Sequence, residues 1–183
     1  MTALVQTESK QTPAANTAQP AEQRQYLTFM LGDEMFAIGI LGIKEILEYE
    51  GLTEVPMMPA CVRGVINMRG AVLPVMDLAA RFGQPARAVT KRTCIVIVEV
   101  EAEADGERQD MGVVVDAVNA VLEIPSSEIE PPPPFGARIR SDFIAGMGKV
   151  NGKFVILLNV QQVLSIEEIG ALAATGQGRV MLA

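Results

Sequence analysis

The chain has 183 residues, with 15 Lys and Arg against 22 Asp and Glu, a formal charge of −7, no His and no Trp. Without His there is no Ser-His-Asp or Cys-His catalysis and no His-liganded zinc. Two distant thiols, Cys61 and Cys94, cannot build a four-cysteine metal site or a disulfide scaffold, and a net acidic chain lacks the clustered cations that neutralise nucleic-acid phosphates. Hydrophobic residues make up 49% of the chain, yet the longest apolar runs, Cys94–Val98 and Phe154–Leu158, are strand-sized and far below the roughly 18 residues of a membrane span. The expectation is a chain with a real core, spare apolar surface for partners, and two ordinary buried thiols kept reduced in the cytoplasm.

In chain order, residues 1–24 are rich in Thr, Ala, Gln and Pro and nearly free of large apolar residues after Val5. That composition predicts a disordered tail, with no secretory segment. Tyr26–Leu31 and Met35–Ile40 alternate about Gly32-Asp33-Glu34 and read as a hairpin. Leu41–Glu48 places Ile43, Ile46 and Leu47 at helical spacing but is short enough to be a strand. Val65–Met68 and Ala71–Met76 flank Arg69-Gly70, and Asp77 is placed to cap a short helix over Leu78–Phe82. Thr93–Val100 and Met111–Val115 flank an acidic loop, Glu101–Asp110, with Asp116 at a turn or cap beyond. Pro131–Pro134 favours a stiff polyproline II run that would hold Phe135 in a defined place, as core or as partner anchor. Met147–Val150 and Lys153–Leu158 flank Asn151-Gly152, the strongest two-residue hairpin signal. Ser165–Ala174 opens on Ser-Ile-Glu-Glu, a capping box, and predicts a terminal helix before a flexible end at 175–183.

The chain carries a degenerate internal repeat. Val62–Leu78 lies in register with Ile144–Val160 at a constant offset of 82 residues, so that Gly64 matches Gly146, Gly70 matches Gly152 and Asp77 matches Asn159. Upstream, Ala37–Leu47 resembles Gly112–Leu122 in apolar pattern. Two copies of about 70 residues of short strands predict two small β-barrels, since closure removes exposed sheet edges. The copies differ at the hairpin tip. Asn151-Gly152 suits a type I′ turn, which needs positive φ at both positions, whereas Arg69 there is disfavoured by about 1 kcal/mol. A local choice that contradicts the fold marks a candidate functional residue, here a projecting guanidinium able to pair with a partner's carboxylate or carbonyl. The alternative is a solvated loop Arg on a different turn. Pro74 matches Ile156 and predicts a strand at a barrel rim. The ten methionines fit core filling or adaptable contact surface. Gly146-Met147-Gly148 opens no helix, so it fails as a nucleotide fingerprint.

The segments Tyr26-Leu27-Thr28-Phe29, Phe36-Ala37-Ile38, Ile43-Lys44-Glu45-Ile46, Val55-Pro56-Met57-Met58-Pro59, Val62–Gly70, Leu73–Leu78 and Gly112–Val118 resemble the CheW chemotaxis coupling proteins over roughly Gln25 to Ile169. The resemblance implies a mainly β fold of two tandem SH3-like five-stranded barrels with a short C-terminal helix, over residues 25–170. A first barrel at about 25–89 and a second at about 90–164 would precede the helix at 165–174. It implies an adaptor with no catalysis and no cofactor, coupling the cytoplasmic tips of methyl-accepting chemoreceptors to the regulatory domain of the histidine kinase CheA in membrane-associated arrays. Carried over by motif, Arg69, Glu45, Ile43 and Gly64 would face the receptor, with Gly64 allowing close packing there. Phe135 would face the kinase, and Val113, Val115 and Val118 of the Gly112–Val118 stretch would offer a further barrel contact. The competing readings are a paralogous coupler for a non-flagellar receptor array and a small cytosolic enzyme using Asp77, Asp116 or Lys149. For the enzyme no paired acid–base constellation is visible.

Overall fold

The computed structural model describes residues 24–85, 87–102, 104–132 and 139–171; residues 1–23 of the predicted tail, Phe135 and the end of the chain lie outside them, while Arg24, the last residue of that tail, heads a strand. Strands β1 (Arg24–Leu31) and β2 (Glu34–Gly39) form a hairpin, a 3₁₀ turn at Ile40–Gly42 follows, and β3 spans Ile43–Glu48. The ambiguous Leu41–Glu48 segment is therefore a strand from Ile43 onward, and its burial there alternates residue by residue. A second hairpin pairs β4 (Val62–Met68) with β5 (Ala71–Asp77), which runs into helix α1 (Leu78–Arg81). Then come β6 (Cys94–Glu101), β7 (Arg108–Val115), β8 (Ala117–Ile124) and the two-residue β9 (Ile129–Glu130). The hairpin β10 (Ile144–Val150) and β11 (Lys153–Leu158) leads into α2 (Val160–Val163) and a last helix over 166–171.

The strands form a five-stranded sheet, ordered β3-β6-β7-β5-β4, and a six-stranded one, ordered β8-β1-β2-β11-β10-β9, the sixth strand being the short β9. Setting β3 against β8, β6 against β1, β7 against β2, β5 against β11 and β4 against β10 makes the two orders the same. The repeat is thus real at the level of strand pairing. Even the parallel ladders correspond, Val75 opposite Gly112 in one sheet and Leu157 opposite Ala37 in the other. A cut at residue 89/90 separates the sequence repeats but not the barrels: β1 and β2 complete the barrel of the second repeat, and β6 and β7 complete that of the first. The repeats exchange their leading hairpins.

Three apolar clusters follow from period-2 alternation. Leu73, Val75, Ile95, Ile97 and Val114 fill the five-stranded barrel, and Tyr26, Ala37, Ile124, Val155 and Leu157 fill the other. The opposite faces of the same strands meet in the largest core: Leu27, Phe29, Phe36 and Ile38 from one barrel pack with Met76, Val96, Val98, Val100, Met111, Val113 and Val115 from the other. The continuous apolar run at Cys94–Val98 is a strand buried on both faces. Val113 and Val115, at 3% and 0% exposure, belong to this shared core, and Val118 packs half-buried against it. A partner cannot reach the first two, so their assignment to a kinase contact, carried over with the Gly112–Val118 motif, is corrected: β7 is buried on both faces and the motif marks core there.

Both hairpin tips are type I′ turns. Arg69 and Gly70 have φ of 53° and 86°, and Asn151 and Gly152 have 51° and 77°. Gly64 is buried, and a Cβ there would lie 2.5 Å from the Thr53 carbonyl oxygen. Val65 and Thr53 exchange backbone hydrogen bonds at 2.8 and 3.1 Å, closing the β3–β4 connection onto β4. The close approach at Gly64 is therefore to its own chain, which corrects its placement on a partner surface. Pro74 does not lie on an edge strand, since β5 is flanked by β4 and β7, but the β7 ladder begins only at Val75, so the missing N–H interrupts no pairing. Of the thiols, Cys61 is buried and burial pushes its pKa up, while Cys94 is only half-buried; both are free. Methionine serves both ends expected of it, Met76 and Met111 in the core and Met57 and Met58 exposed.

The caps form as expected and then do more. Asp77 Oδ1 accepts from the Ala80 amide at 3.3 Å, and Oδ2 accepts from Arg63 Nη1 at 2.9 Å. Asn159, its counterpart, caps α2 through the Gln162 amide. Asp116 accepts from the Gly32 amide at 2.7 Å. Ser165 Oγ accepts from the Glu168 amide at 3.3 Å, but the Glu168 carboxylate goes to Arg140 and, at 2.9 Å, to Arg81 instead of completing the box. The Arg140 guanidinium holds the Glu168 and Asp142 carboxyls below their ordinary values of 4.5 and 3.8.

Two outcomes follow. Val115→Ala should lower unfolding stability by about 2 kcal/mol, through two lost methyl groups and the cavity they leave, read as a shift of the urea midpoint. A depressed carboxyl stabilises the fold above its unfolded pKa and stops doing so as pH falls through its folded one. The difference in urea midpoint between wild type and Glu168→Gln should therefore be largest at neutral pH, persist down to about the unfolded glutamate pKa, and vanish in strong acid.

Candidate partner-docking surface

The curl of the five-stranded sheet brings its two ends toward each other, and the β4–β5 tip reaches across to β3. Arg69 Nη2 lies 3.3 Å from Glu45 Oε2, with the Arg69 side chain 79% exposed and that of Glu45 33% exposed. The structure thus joins two residues that were singled out separately. Arg69 is not an unpaired cation, but an exposed pair of this kind contributes little to stability and is easily exchanged for another partner. The strained turn beneath it is braced, because Asn67 Oδ1 accepts from the Gly70 amide at 3.1 Å. The corresponding position in the other hairpin is Lys149, and its turn carries Asn151, which needs no brace. The Asn-Met-Arg-Gly run is therefore a device for holding an arginine where glycine or asparagine would be easier.

Ile43 opens the same strand, half-buried against the shared core. A bulge between Ile43 and Glu45 lets Lys44 swing out to Glu99 at 2.8 Å and Asp110 at 3.3 Å. These two contacts raise the Lys44 pKa, and the Lys44 hydrogen bond lowers that of Glu99. Just before Ile43, the fully exposed Leu41 lines an open groove of ≈ 950 Å³ between the barrels, walled by Tyr26, Val98, Leu158 and Gln161 among others.

The first barrel also exposes Ile46 on β3 and Val72 on β5. Carrying these through the repeat offsets leads to Val121 on β8 and Phe154 on β11, which are exposed as well. Each barrel presents the same two apolar positions to solvent, while the ion pair exists on one barrel alone: the counterparts of Arg69 and Glu45 are Asn151 and Ala120. Reading the sequence missed these four residues. The signal was available as apolar residues at matched positions of the repeat whose strand neighbours already fill the barrel interior.

Among the described residues no group of three or more His, Cys, Asp or Glu is placed to hold a metal ion, and no helix is long and apolar enough to cross a membrane. Asp77 is committed to the α1 cap and to Arg63, and Asp116 to the Gly32 amide and Arg87.

Comparison with known proteins agrees with this surface-centred picture. Residues 25–168 match the model of the CheW-like domain. The chemotaxis protein CheW of Klebsiella aerogenes is 31% identical over 80% of this chain and 84% of its own length. That of Rhizobium meliloti is 33% identical over 79% and 90%. Among solved structures, the scaffolding protein TtCheW from Thermoanaerobacter tengcongensis superposes with a TM-score of 0.70 at 33% identity, covering 79% of this chain and 89% of that one. With the domain model matched over residues 25–168 and relatives above 30% identity aligned along most of their length, the chain belongs to the CheW family of chemotaxis coupling adaptors.

Proposed function

We propose that this protein couples the cytoplasmic tips of chemoreceptors to the histidine kinase CheA, working in the cytoplasm on membrane-associated receptor arrays. The observation that carries the reading is the Arg69 turn: a guanidinium held at positive φ, braced by Asn67 and left largely in solvent beside Glu45. Such strain is retained where it positions a contact. The receptor face comprises Arg69, Glu45 and the exposed part of Ile43. A receptor carboxylate or carbonyl exchanges with Glu45 for the guanidinium, a charge-assisted bond that fixes register. The kinase face lies on the other barrel, at the exposed Val121 and Phe154, where apolar area supplies affinity and polar rims supply orientation; Phe135, which the resemblance assigns to the kinase, lies outside the described residues. Gly64, Val113 and Val115 support these faces from inside.

The protein performs no chemistry in this role. It holds receptor and kinase in one geometry, so that a receptor shift biases the kinase between its states, a coupling of typically about 1–3 kcal/mol.

The test is co-sedimentation with receptor-containing membranes, with and without the kinase: a coupler brings the kinase down, and absence of that transfer overturns the reading. Arg69→Asn copies the residue of the twin turn and separates fold from function. Its urea midpoint should match or exceed wild type, since relief of about 1 kcal/mol of turn strain outweighs an exposed ion pair. Receptor-dependent kinase activation should nonetheless be lost.

A further inference from the structure

Among the described residues the chain passes between the barrels at two strand-to-strand crossings, the turn Ile40–Gly42 from β2 to β3 and the single residue Asp116 from β7 to β8. Leu41 and Asp116 are equivalent positions of the repeat, but the crossings are secured differently. Asp116 donates its amide to the Met30 carbonyl, accepts from the Gly32 amide and pairs with Arg87 at 3.5 Å. Leu41 stands in solvent at the mouth of the groove. Two points of attachment define an axis. The apolar core between the barrels opposes their separation, and a charged bridge across the seam adds a directional restraint on the angle about that axis.

A third point exists in the C-terminal segment. It leaves the six-stranded barrel at Asn159, whose amide donates to the Phe143 carbonyl at 2.7 Å. It then grips the other barrel in three places: Arg81 Nε donates to the Val163 carbonyl at 2.8 Å, the Glu101 amide to Gln161 Oε1 at 3.1 Å, and the Ala104 amide to Glu167 Oε1 at 3.2 Å. Glu168 closes the bracket. It pairs with Arg81 at the end of α1, on the five-stranded side, and with Arg140, just before β10, on the six-stranded side. The two guanidinium carbons lie 4.6 and 4.4 Å from the centroid of the same buried ring, Phe143, which ends a row of aromatic contacts through the shared core from Phe29 by way of Phe36 and Phe82.

We propose that Glu168 fixes the angle between the two barrels and is thereby a positioning residue for transmission from the receptor-facing barrel to the kinase-facing one. The second half of this statement rests on the coupler reading; the first does not.

The experiment measures amide residual dipolar couplings on the full chain as wild type, Glu168→Gln and Arg140→Gln. In wild type both barrels should fit one alignment tensor. In each variant they should need two tensors or a rotated arrangement, with amide exchange over residues 163–171 faster by about tenfold or more. In receptor–kinase assemblies the variants should bring down kinase to within about twofold of wild type while receptor-stimulated activity falls about fivefold or more, a split that a purely structural defect would not produce. Arg140→Gln leaves the Arg81–Glu168 pair in place and keeps the test open should Glu168→Gln fail to fold. An unchanged single tensor in the folded variants overturns the angle assignment, and wild-type activation with an altered tensor overturns its role in transmission. A wild-type protein that brings down no kinase refutes the coupler reading and leaves the angle assignment to the dipolar couplings.

Discussion

The hairpins β1–β2 and β6–β7 bury both their faces, and the rest of the architecture answers to that constraint. One face of each fills a barrel assembled mostly from the opposite repeat, and the other meets its counterpart in the core between barrels. A strand with two apolar faces cannot lie at a solvated surface. The edges and outer faces left for partners therefore fall on β3, β8 and the tips of the β4–β5 and β10–β11 hairpins. The separation of doubly buried strands from partner-facing ones comes directly from the exchange of hairpins, and it places Val113 and Val115 on the inside and Ile46, Val72, Val121 and Phe154 on the outside.

Much of this was legible in the residues because it is local. The hairpin turns at Arg69-Gly70 and Asn151-Gly152, the caps at Asp77 and Ser165, and the match of Val62–Leu78 to Ile144–Val160 all depend on neighbours in sequence. Which barrel a hairpin joins does not. The β1–β2 hairpin has the same pattern whether it pairs with β3 or with β8, and only the burial of its second face decides. The same limit explains the misplacement of Gly64, whose neighbour Thr53 lies across the β3–β4 connection. The pairing of Glu45 with Arg69 was equally invisible, since it depends on the sheet curling until its ends meet.

Two charge pairs of the first repeat are absent as pairs from the second. Asp77 has Arg63 beside it, and the corresponding positions hold the neutral Asn159 and Ala145. Arg69 has Glu45, and the corresponding positions hold Asn151 and Ala120. A lone carboxylate as buried as Asp77 would be strongly destabilising, so the two members of that set can only be kept or lost together. The exposed set carries no such penalty. Its presence on one barrel alone, with Lys149 and Lys153 standing where the first tip has Asn67 and Ala71, makes the two tips chemically different.

The interleaved topology also bears on how the chain is made. The β1–β2 hairpin leaves the ribosome first, yet the strands that flank it, β8 and β11, follow only after most of the chain has been synthesised. At elongation rates of about 5–20 residues per second that interval is on the order of ten seconds, during which Tyr26 and Ala37 lack Ile124, Val155 and Leu157, the residues that cover them in the barrel. A nascent chain in that condition is a natural client for a holding chaperone, and its late, long-range strand pairing places it among the slower-folding topologies.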